Sequence, residues 1–378
     1  MHEKLSGVWI MAYTTIDDPS AHFQTTLWTG DGSSPRTITN DGNSNLQPDL
    51  VWHKNRSDSG RSHYLHDSSR GFGSEKELTA NSNDIENSDN HLVENHGYIA
   101  SVSTDSFVLG AGATNDVYTN RSSATYVAWQ WKANGGSTTT NDASSTGVGN
   151  QDSVYQANTT AGFSIVTWTG SNANATLAHG LGAVPHFYLI KARTGTENWG
   201  VYHHKNTSSP ETEYLNLNDN GATADHTILC NDTAPTSTVF TVADSGLANE
   251  VGKTYIGYLF SEIQGYSKFG SYTGNGNVDG TFVYTGFKPA FMIAKETGAS
   301  RNWTMAASKM QTGANITNSF QPNTDASQDA NERMDWLSNG FKLRTTSTTW
   351  NTDGGTYIYM AFAENPFVSS EGVPCTAR

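Results

Sequence analysis

A pattern of three elements occurs three times along the chain, and this repetition limits the fold more than any other feature. Each copy has an aromatic-Thr-Gly turn, a strand that opens on proline and reaches lysine six residues later, and a tyrosine-led strand of bulky residues. The turns are Trp28-Thr29-Gly30, Trp168-Thr169-Gly170 and Tyr272-Thr273-Gly274. A period of roughly one hundred residues is the size of one β-sandwich. The sequence therefore predicts three similar modules in series.

The two strand patterns indicate which side chains are buried. The proline-led strands, residues 48–54, 185–191 and 289–295, are apolar on both faces, which is typical of central strands. In the tyrosine-led strands the bulky residues recur at alternate positions, which face one side of a sheet. These positions are Val127, Trp129 and Trp131, then Ile256, Tyr258 and Phe260, then Ile358, Met360 and Phe362. We expect this set to form the core face, and the intervening set, with Gln130, Leu259 and Ala361, to be partly exposed.

Composition agrees with strands. Charged residues make up 15% of the chain and hydrophobic residues 35%, with many Thr, Asn and Gly residues in the remainder. This composition favours strands and turns over helices, and residues 325–337 are the one stretch with moderate helical character. The predicted fold class is all-β, with tandem antiparallel β-sandwich modules of jelly-roll or concanavalin-like type.

The predicted domain organisation has five parts. An N-terminal arm covers residues 1–20, module 1 covers 21–133, a linker covers 134–161, module 2 covers 162–264, and module 3 with a C-terminal tail covers 265–378. Module 1 has an Asn-, Asp-, Ser- and His-rich insertion at 71–104, predicted to be an extended loop. The linker is rich in Gly, Ser and Thr, so we expect module 1 to move relative to the rest. Residues 263–265 are too short a connection to let modules 2 and 3 move independently.

Charge and hydropathy make several partners improbable. The formal net charge is -14 and no Lys or Arg run occurs, so nucleic acid is not an expected partner. No apolar stretch is long enough to span a bilayer, and the N-terminus has no convincing signal-peptide core, so neither membrane insertion nor secretory export is expected. The two cysteines, Cys230 and Cys375, are expected to be free thiols.

Candidate chemical sites are weak, and we expect no catalytic, cofactor-binding or metal site. His63 and His66 would point to opposite faces of a strand, and His203-His204 has the same geometry, which is poor for one metal ion. Glu262 and Glu364 recur seven residues after Tyr255 and Tyr357, but a charged residue at a strand end explains them equally well. Residues 40–45 fit either a calcium loop or a solvated turn.

Two tryptophans are candidate glycan contacts. Trp199 and Trp303 each lie eight residues after the repeated lysine, and an exposed indole at that position would stack on a sugar ring. Their recurrence favours the alternative that both pack within the scaffold.

Several segments resemble repeat modules in virion structural proteins of marine tailed bacteriophages, including those that infect cyanobacteria. They are residues 11–20, 46–52, 67–71, 126–133, 265–276 and 375–378. The resemblance implies a non-enzymatic fibre or capsid decoration protein, assembled in the host cytoplasm and located in the virion. It also places the native start at either Met1 or Met11.

This resemblance leads to further expectations about partners. The N-terminal arm would bind other virion proteins, and modules 2 and 3 would face host-surface glycans or protein. Fibre and decoration proteins are often trimeric, although the chain has no heptad pattern from which to argue its oligomeric state. A lectin-like carbohydrate-binding protein is the alternative function, and a polysaccharide depolymerase is a weaker one.

Overall fold

The structure is a computed structural model that describes residues 12–313 and 316–375. Strands make up 41% of it and helices 5%, so the predicted fold of antiparallel β-sandwich modules is confirmed. The helices are single turns: 3-10 helices at Pro19–Ala21 and Pro210–Thr212, and α-helices α1 (Val93–His96), α2 (Ala143–Thr146) and α3 (Thr348–Asn351). The short helices only connect strands, which carry the architecture.

Module 1 pairs a five-stranded main sheet with a three-stranded outer sheet. The main sheet has the order β1-β8-β3-β4-β5, with β1 (Phe23–Thr29), β3 (Leu50–Asn55), β4 (Tyr64–Asp67), β5 (Leu78–Thr79) and β8 (Thr125–Trp131). The outer sheet has the order β2-β7-β6, with β2 (Arg36–Thr39), β6 (Tyr98–Ser103) and β7 (Ser106–Gly110). The insertion at 71–104, predicted to be a loop, therefore contains β5, α1 and β6.

Module 2 has an eight-stranded main sheet and a two-stranded outer sheet. The main sheet has the order β16-β15-β14-β13-β18-β11-β10-β9, with β9 (Thr139–Asn141), β10 (Ser153–Asn158), β11 (Phe163–Thr169), β13 (Phe187–Ala192), β14 (Gly200–His203), β15 (Glu213–Asn216), β16 (Ala224–Asp225) and β18 (Thr254–Phe260). The outer sheet pairs β12 (Ala175–Ala178) with β17 (Val239–Val242).

Module 3 has one eight-stranded sheet that folds over its own core. The order is β19-β26-β21-β22-β23-β24-β25-β20, with β19 (Ser267–Thr273), β20 (Phe282–Tyr284), β21 (Phe287–Glu296), β22 (Thr304–Gly313), β23 (Ile316–Phe320), β24 (Asp329–Leu337), β25 (Gly340–Leu343) and β26 (Thr356–Pro366). Val283 of β20 and Phe341 of β25 share a buried cluster with Met292 of β21, so the ends of the sheet face its middle. The helical stretch expected at 325–337 is wrong, because β24 occupies most of it.

The three modules repeat one strand arrangement, as the sequence repeat predicts. β1 pairs with β8, β11 with β18, and β19 with β26, always antiparallel. The aromatic residue of each turn is opposite the leading tyrosine of the paired strand. The ring pairs are stacked in every copy: Trp28 on Tyr126 at 5.3 Å, Trp168 on Tyr255 at 5.4 Å and Tyr272 on Tyr357 at 4.9 Å between centroids.

The main sheets of the three modules pack against one another around a common core. Trp131, Phe260 and Phe362 occupy the same position in the three tyrosine-led strands and form a closed triangle of rings. The centroid distances are 6.2 Å for Trp131 to Phe260, 5.7 Å for Phe260 to Phe362 and 5.7 Å for Trp131 to Phe362. The modules are therefore arranged around an approximate threefold axis that passes through one shared core.

This arrangement changes the interpretation of the two faces of the tyrosine-led strands. The alternating set predicted to be the core face is buried, but it lines the common core between modules. The intervening set is also buried: Gln130 and Leu259 are each 0% exposed, as is Ala361. The expectation of a partly exposed face is wrong because each main sheet is covered on its other side by the outer strands of its own module.

The predicted linker and the described part of the predicted arm are ordered. Within the predicted linker, residues 134–161, α2 is capped by the Asp142 side chain and β10 pairs with β11. The expected movement of module 1 is wrong, because its strands contribute to the common core. In the predicted arm, the Thr14 hydroxyl donates to Gln264 O at 2.8 Å and Ile16 lies in the common core. Residues 1–11 of the arm, with the question of Met1 or Met11, lie outside the described residues.

Candidate functional site

The interfaces between modules, called seams below, contain most of the residues that the sequence singles out. Each proline-led strand ends in a lysine that is fully buried at a seam: Lys54, Lys191 and Lys295. The Lys191 ammonium donates to Glu197 O in its own module at 2.8 Å and to Asn83 O of module 1 at 3.2 Å. A carbonyl oxygen is a strong acceptor for a buried ammonium, so this lysine bridges two modules.

The other two lysines have the same kind of environment. Lys54 donates to the carbonyl oxygen of Arg61 and, at 3.3 Å, to that of Asp325 in module 3. Lys295 donates to the carbonyl oxygens of Glu296 and Ala299. Burial lowers the pKa of Lys54 and Lys191 to about 7, and that of Lys295 to about 8. Lys54 and Lys191 therefore each join two modules, whereas both bonds of Lys295 lie within module 3.

The two candidate sugar-stacking tryptophans are also seam residues. Trp199 is 0% exposed and Trp303 is 1% exposed. The Trp199 indole donates to Thr79 O of module 1 at 2.9 Å, and the Trp303 indole to Asn216 O of module 2 at 2.8 Å. A buried indole has no free face on which a sugar ring can stack. The alternative that both pack within the scaffold agrees with this placement.

Module 1 has histidine at the matching position. In each module, the residue before the repeated lysine pairs with a residue on the neighbouring strand, which is Tyr64, Gly200 or Thr304. The residue before this partner is His63 in module 1, Trp199 in module 2 and Trp303 in module 3. The His63 ring contacts Phe320 of module 3 edge-on at 5.6 Å. Each module therefore contributes one ring that contacts a neighbouring module. The sequence does not reveal this equivalence, because an imidazole stands where the other copies have an indole.

Of the two histidine pairs, His63, His66 and His203 are buried and His204 is half-buried. His63 lies at the common core, whereas His66 packs on His53 in the module 1 sandwich, so the two face opposite sides as predicted. His203 Nε2 donates to Tyr359 O at 3.0 Å, and His204 Nε2 donates to Phe269 O at 2.6 Å. Among residues 12–313 and 316–375, no group of three or more His, Cys, Asp or Glu side chains is placed to hold a metal ion.

The repeated carboxylates lie at different seams. Glu262 binds Lys268 at 2.6 Å, whereas Glu364 binds Lys288 at 2.6 Å and accepts from the Ser308 hydroxyl at 3.0 Å. Each carboxylate is neutralised by an adjacent lysine. This pairing agrees with the structural interpretation of both acids at strand ends.

A cleft of about 290 Å³ lies between modules 1 and 3. It is lined by residues of β1, the 41–43 loop, β22 and the end of β26. Asp41 in that loop is paired with Lys309. Asn40 is buried, and its side chain is engaged by Thr26, Gln130 and Leu46 O. In the 40–45 segment the side chains of Asn40, Asp41 and Ser44 are therefore bound by protein, whereas those of Asn43 and Asn45 are exposed.

One repeated residue escapes the sequence analysis. Asn120, Asn249 and Asn351 are buried and lie six residues before the leading tyrosine of each copy. The Asn249 side chain donates to Gln151 Oε1, Ser171 Oγ and Ala173 O, at 2.8 to 3.0 Å. Each asparagine ties together the loops at one end of its module. The fixed spacing was a signal that sequence inspection could have found.

Comparison with known families places the whole repeat in one group. Residues 18–366 match the family described as a domain of unknown function (DUF7483). The chain belongs to this family. The chain has no match among curated protein sequences. The matched range includes strands of all three modules.

Two further observations concern the described part of the chain. No helix in residues 12–313 and 316–375 has the length and apolar character of a membrane span. Cys230 is buried, and no disulfide joins it to Cys375.

Proposed function

We propose that the chain is a non-enzymatic structural component of a phage virion surface, a tail or head fibre or a capsid decoration protein, that contributes to host attachment. The resemblance of its segments to virion proteins of marine tailed phages carries this proposal. The fused body supports it, since three modules around one core give a stiff frame for surface loops. The lysines that neutralise Glu262 and Glu364 support a role without catalysis.

Residues 13–17 of the arm contact module 3. The Tyr13 hydroxyl donates to Gly286 O at 2.7 Å, and Asp17 accepts from the Ser370 amide at 2.6 Å. These residues are engaged by module 3, so we assign binding to other virion proteins to residues 1–11. A trimeric assembly and contact with a host glycan or protein belong to the same proposal.

Quantitative mass spectrometry of purified particles tests the virion assignment. We expect the chain in fixed stoichiometry with the major capsid protein after gradient purification, and recovery only in the soluble lysate contradicts the proposal. A variant that begins at Met11 tests the arm. It should melt like the full chain but fail to enter particles, and undiminished incorporation would show that the arm is not the attachment point.

The two alternative functions have separate readouts. A lectin-like protein binds glycans on an array as the isolated chain, and a depolymerase releases reducing ends from host envelope polysaccharide. Either result, obtained with a chain that is missing from purified particles, favours the corresponding alternative.

A further inference from the structure

Module 3 has a cleft between the two free edges of its sheet. β19 and β20 are the terminal strands of the eight-stranded order, and both line a cleft of about 530 Å³. The Thr281 hydroxyl donates to Thr273 O at 2.7 Å and joins the two strands at one end. Beyond this bond the strands separate, so that the cleft lies between two sheet edges.

Hydrogen bonds show which backbone groups of β19 face the cleft. Tyr266 O accepts from the Ala363 amide and the Gly274 amide donates to Gly355 O, so even-numbered residues of β19 bond to β26. The odd-numbered residues therefore face away from β26. Among these, Phe269 and Thr273 have carbonyl partners in the His204 and Thr281 side chains.

Ser271 is the exception on this edge. Within the part of the chain that the structure describes, its amide and carbonyl have no protein partner. On β20, Val283 pairs with Phe341 and the Thr285 amide donates to Asn339 O, so odd-numbered residues bond to β25. The backbone groups of Phe282 and Tyr284 therefore face the same cleft.

Module 2 shows what fills the matching cleft. There β11 and β12 correspond to β19 and β20, and residues 149–158 of the same chain run between them. β10 bonds along β11, with Val154 opposite Thr167 and Gln156 opposite Ile165. The preceding residues bond to β12, where Thr176 O accepts from the Asn150 amide at 3.0 Å. An extended segment is thus bound by both walls of the cleft.

Module 3 cannot fill its own cleft in this way. The strand of module 2 is supplied by the residues that precede β11. The corresponding residues before β19 are 263–266, which form a tight turn in which the Tyr266 amide donates to Ile263 O at 3.0 Å. Ser271 occupies the place of Thr167, and among residues 12–313 and 316–375 no counterpart of β10 pairs with it.

The side chains around the open cleft differ from those of the filled one. Phe282 is 46% exposed and Tyr284 is 53% exposed, on a short strand at the sheet edge. Their counterparts on β12 are Thr176 and Ala178, which β10 and its preceding residues cover. Unpaired strand edges with exposed apolar side chains are templates for strand addition. Lys205 is exposed at the same cleft, and no acid pairs with it among the described residues.

We infer that the β19–β20 cleft of module 3 binds an extended polypeptide strand from another protein chain, by strand addition to Ser271 on one wall and to Phe282 and Tyr284 on the other. The bound segment is extended, as β10 is in module 2, and carries no net positive charge because Lys205 faces it. This site is independent of the virion assignment, since it rests on the internal comparison of modules.

A synthetic peptide of residues 149–158 is the probe, since this segment fills the matching cleft. We expect the full chain to bind the labelled peptide saturably in fluorescence anisotropy, and a scrambled peptide to bind at least tenfold more weakly. Ser271→Pro removes the amide that faces the cleft and should weaken binding at least tenfold, whereas the matched control Ser271→Ala keeps the amide and should bind as wild type.

Proline at an outward-facing position of an edge strand is compatible with the fold. Phe282→Pro, on the opposite wall, repeats the test if Ser271→Pro lowers the melting temperature. Absence of saturable peptide binding overturns the inference, as does equal binding by the proline and alanine variants. Glycan binding that is lost in Phe282→Ala, without peptide binding, would instead assign the cleft to a saccharide.

Discussion

Trp131 of module 1 and Phe260 of module 2 contact ring to ring, with 6.2 Å between their centroids, at the centre of the molecule. Both also contact Phe362 of module 3, and all three side chains are at most 2% exposed. Contacts of this kind make each module part of the core of the others. The stability of one module therefore depends on the presence of the other two.

Replacement of Trp131 tests this coupling. Trp131→Ala leaves a cavity where three modules meet and should lower the free energy of unfolding by about 3–5 kcal/mol. We expect the wild-type chain to unfold in one transition in guanidinium chloride, monitored by both tryptophan fluorescence and circular dichroism. Val251→Ala, at a residue 62% exposed, is the control and should stay within about 0.5 kcal/mol of wild type. Three separate transitions would contradict a shared core.

Strand positions were predictable because the repeat fixes them. Proline-led and tyrosine-led segments became central strands in all three modules, since their apolar side chains require cover on both faces. The contacts between modules were not predictable, because alternation shows which residues share a face without showing what covers it. The variation among Gln130, Leu259 and Ala361 therefore resembled exposure, although it reflects three different sandwich interiors.

The prediction that the linker is flexible was wrong for a related reason. Residues 134–147 have the composition of a flexible segment, but Asp142 caps a helical turn and the following strand finds an unpaired edge on β11. Composition reflects only the local conformational preference of the backbone, whereas pairing with the edge of another strand depends on the tertiary structure. At Trp199 and Trp303 the recurrence favoured packing, but only the structure shows which neighbouring module each indole contacts.

The glycine of each turn is required by a close approach of two backbone segments. A Cβ added at Gly170 would lie 2.0 Å from Glu250 O, and Gly30 and Gly274 have equally close neighbours in Arg121 O and Thr352 O. Gly170→Ala should therefore destabilise the chain by about 1–3 kcal/mol, measured by chemical denaturation. The matched control is Gly298→Ala, where a Cβ meets nothing within 4 Å. Equal stability of the two variants would show that the turn can relax.

Acid should destabilise the chain through its buried histidines. Burial lowers the pKa of His53 and His203 to about 3, and holds those of His63 and His66 well below 6.5. The unfolded chain binds these protons as pH falls through about 6.5, whereas the folded chain does not. Their contribution to stability is therefore complete above pH 6.5 and is lost progressively as pH falls towards 3.

The histidine contribution can be isolated at one position. His53 has no hydrogen-bond partner on either ring nitrogen within the described residues, so His53→Leu removes the titration without breaking a bond. Between pH 6 and 4 the slope of unfolding free energy against pH should decrease by about 1.4 kcal/mol per pH unit. An unaltered slope in His53→Leu would mean that His53 is charged in the folded chain.

The seam lysines should make the chain more stable in mild alkali. Burial lowers the pKa of Lys191 to about 7 from 10.5, so between these values the unfolded chain binds a proton that the folded chain lacks. Stability should rise with pH across this window. Lys191→Met removes the titrating group, and the slope between pH 7.5 and 9.5 should fall by about 1.4 kcal/mol per pH unit. Lys205→Met, at an exposed lysine, is the control, and a slope equal to wild type in Lys191→Met would contradict the depressed pKa.

Trp199 and Trp303 should determine stability and not sugar binding. Trp199→Ala removes a buried indole and its bond to Thr79 O, and should cost about 3–5 kcal/mol in chemical denaturation. Val278→Ala, at a residue 62% exposed, is the control and should cost less than about 0.5 kcal/mol. Both variants are then compared on a glycan array at a temperature where each is folded. Loss of glycan binding in Trp199→Ala with unchanged stability would show that this indole reaches ligand, which its position between modules 1 and 2 does not allow.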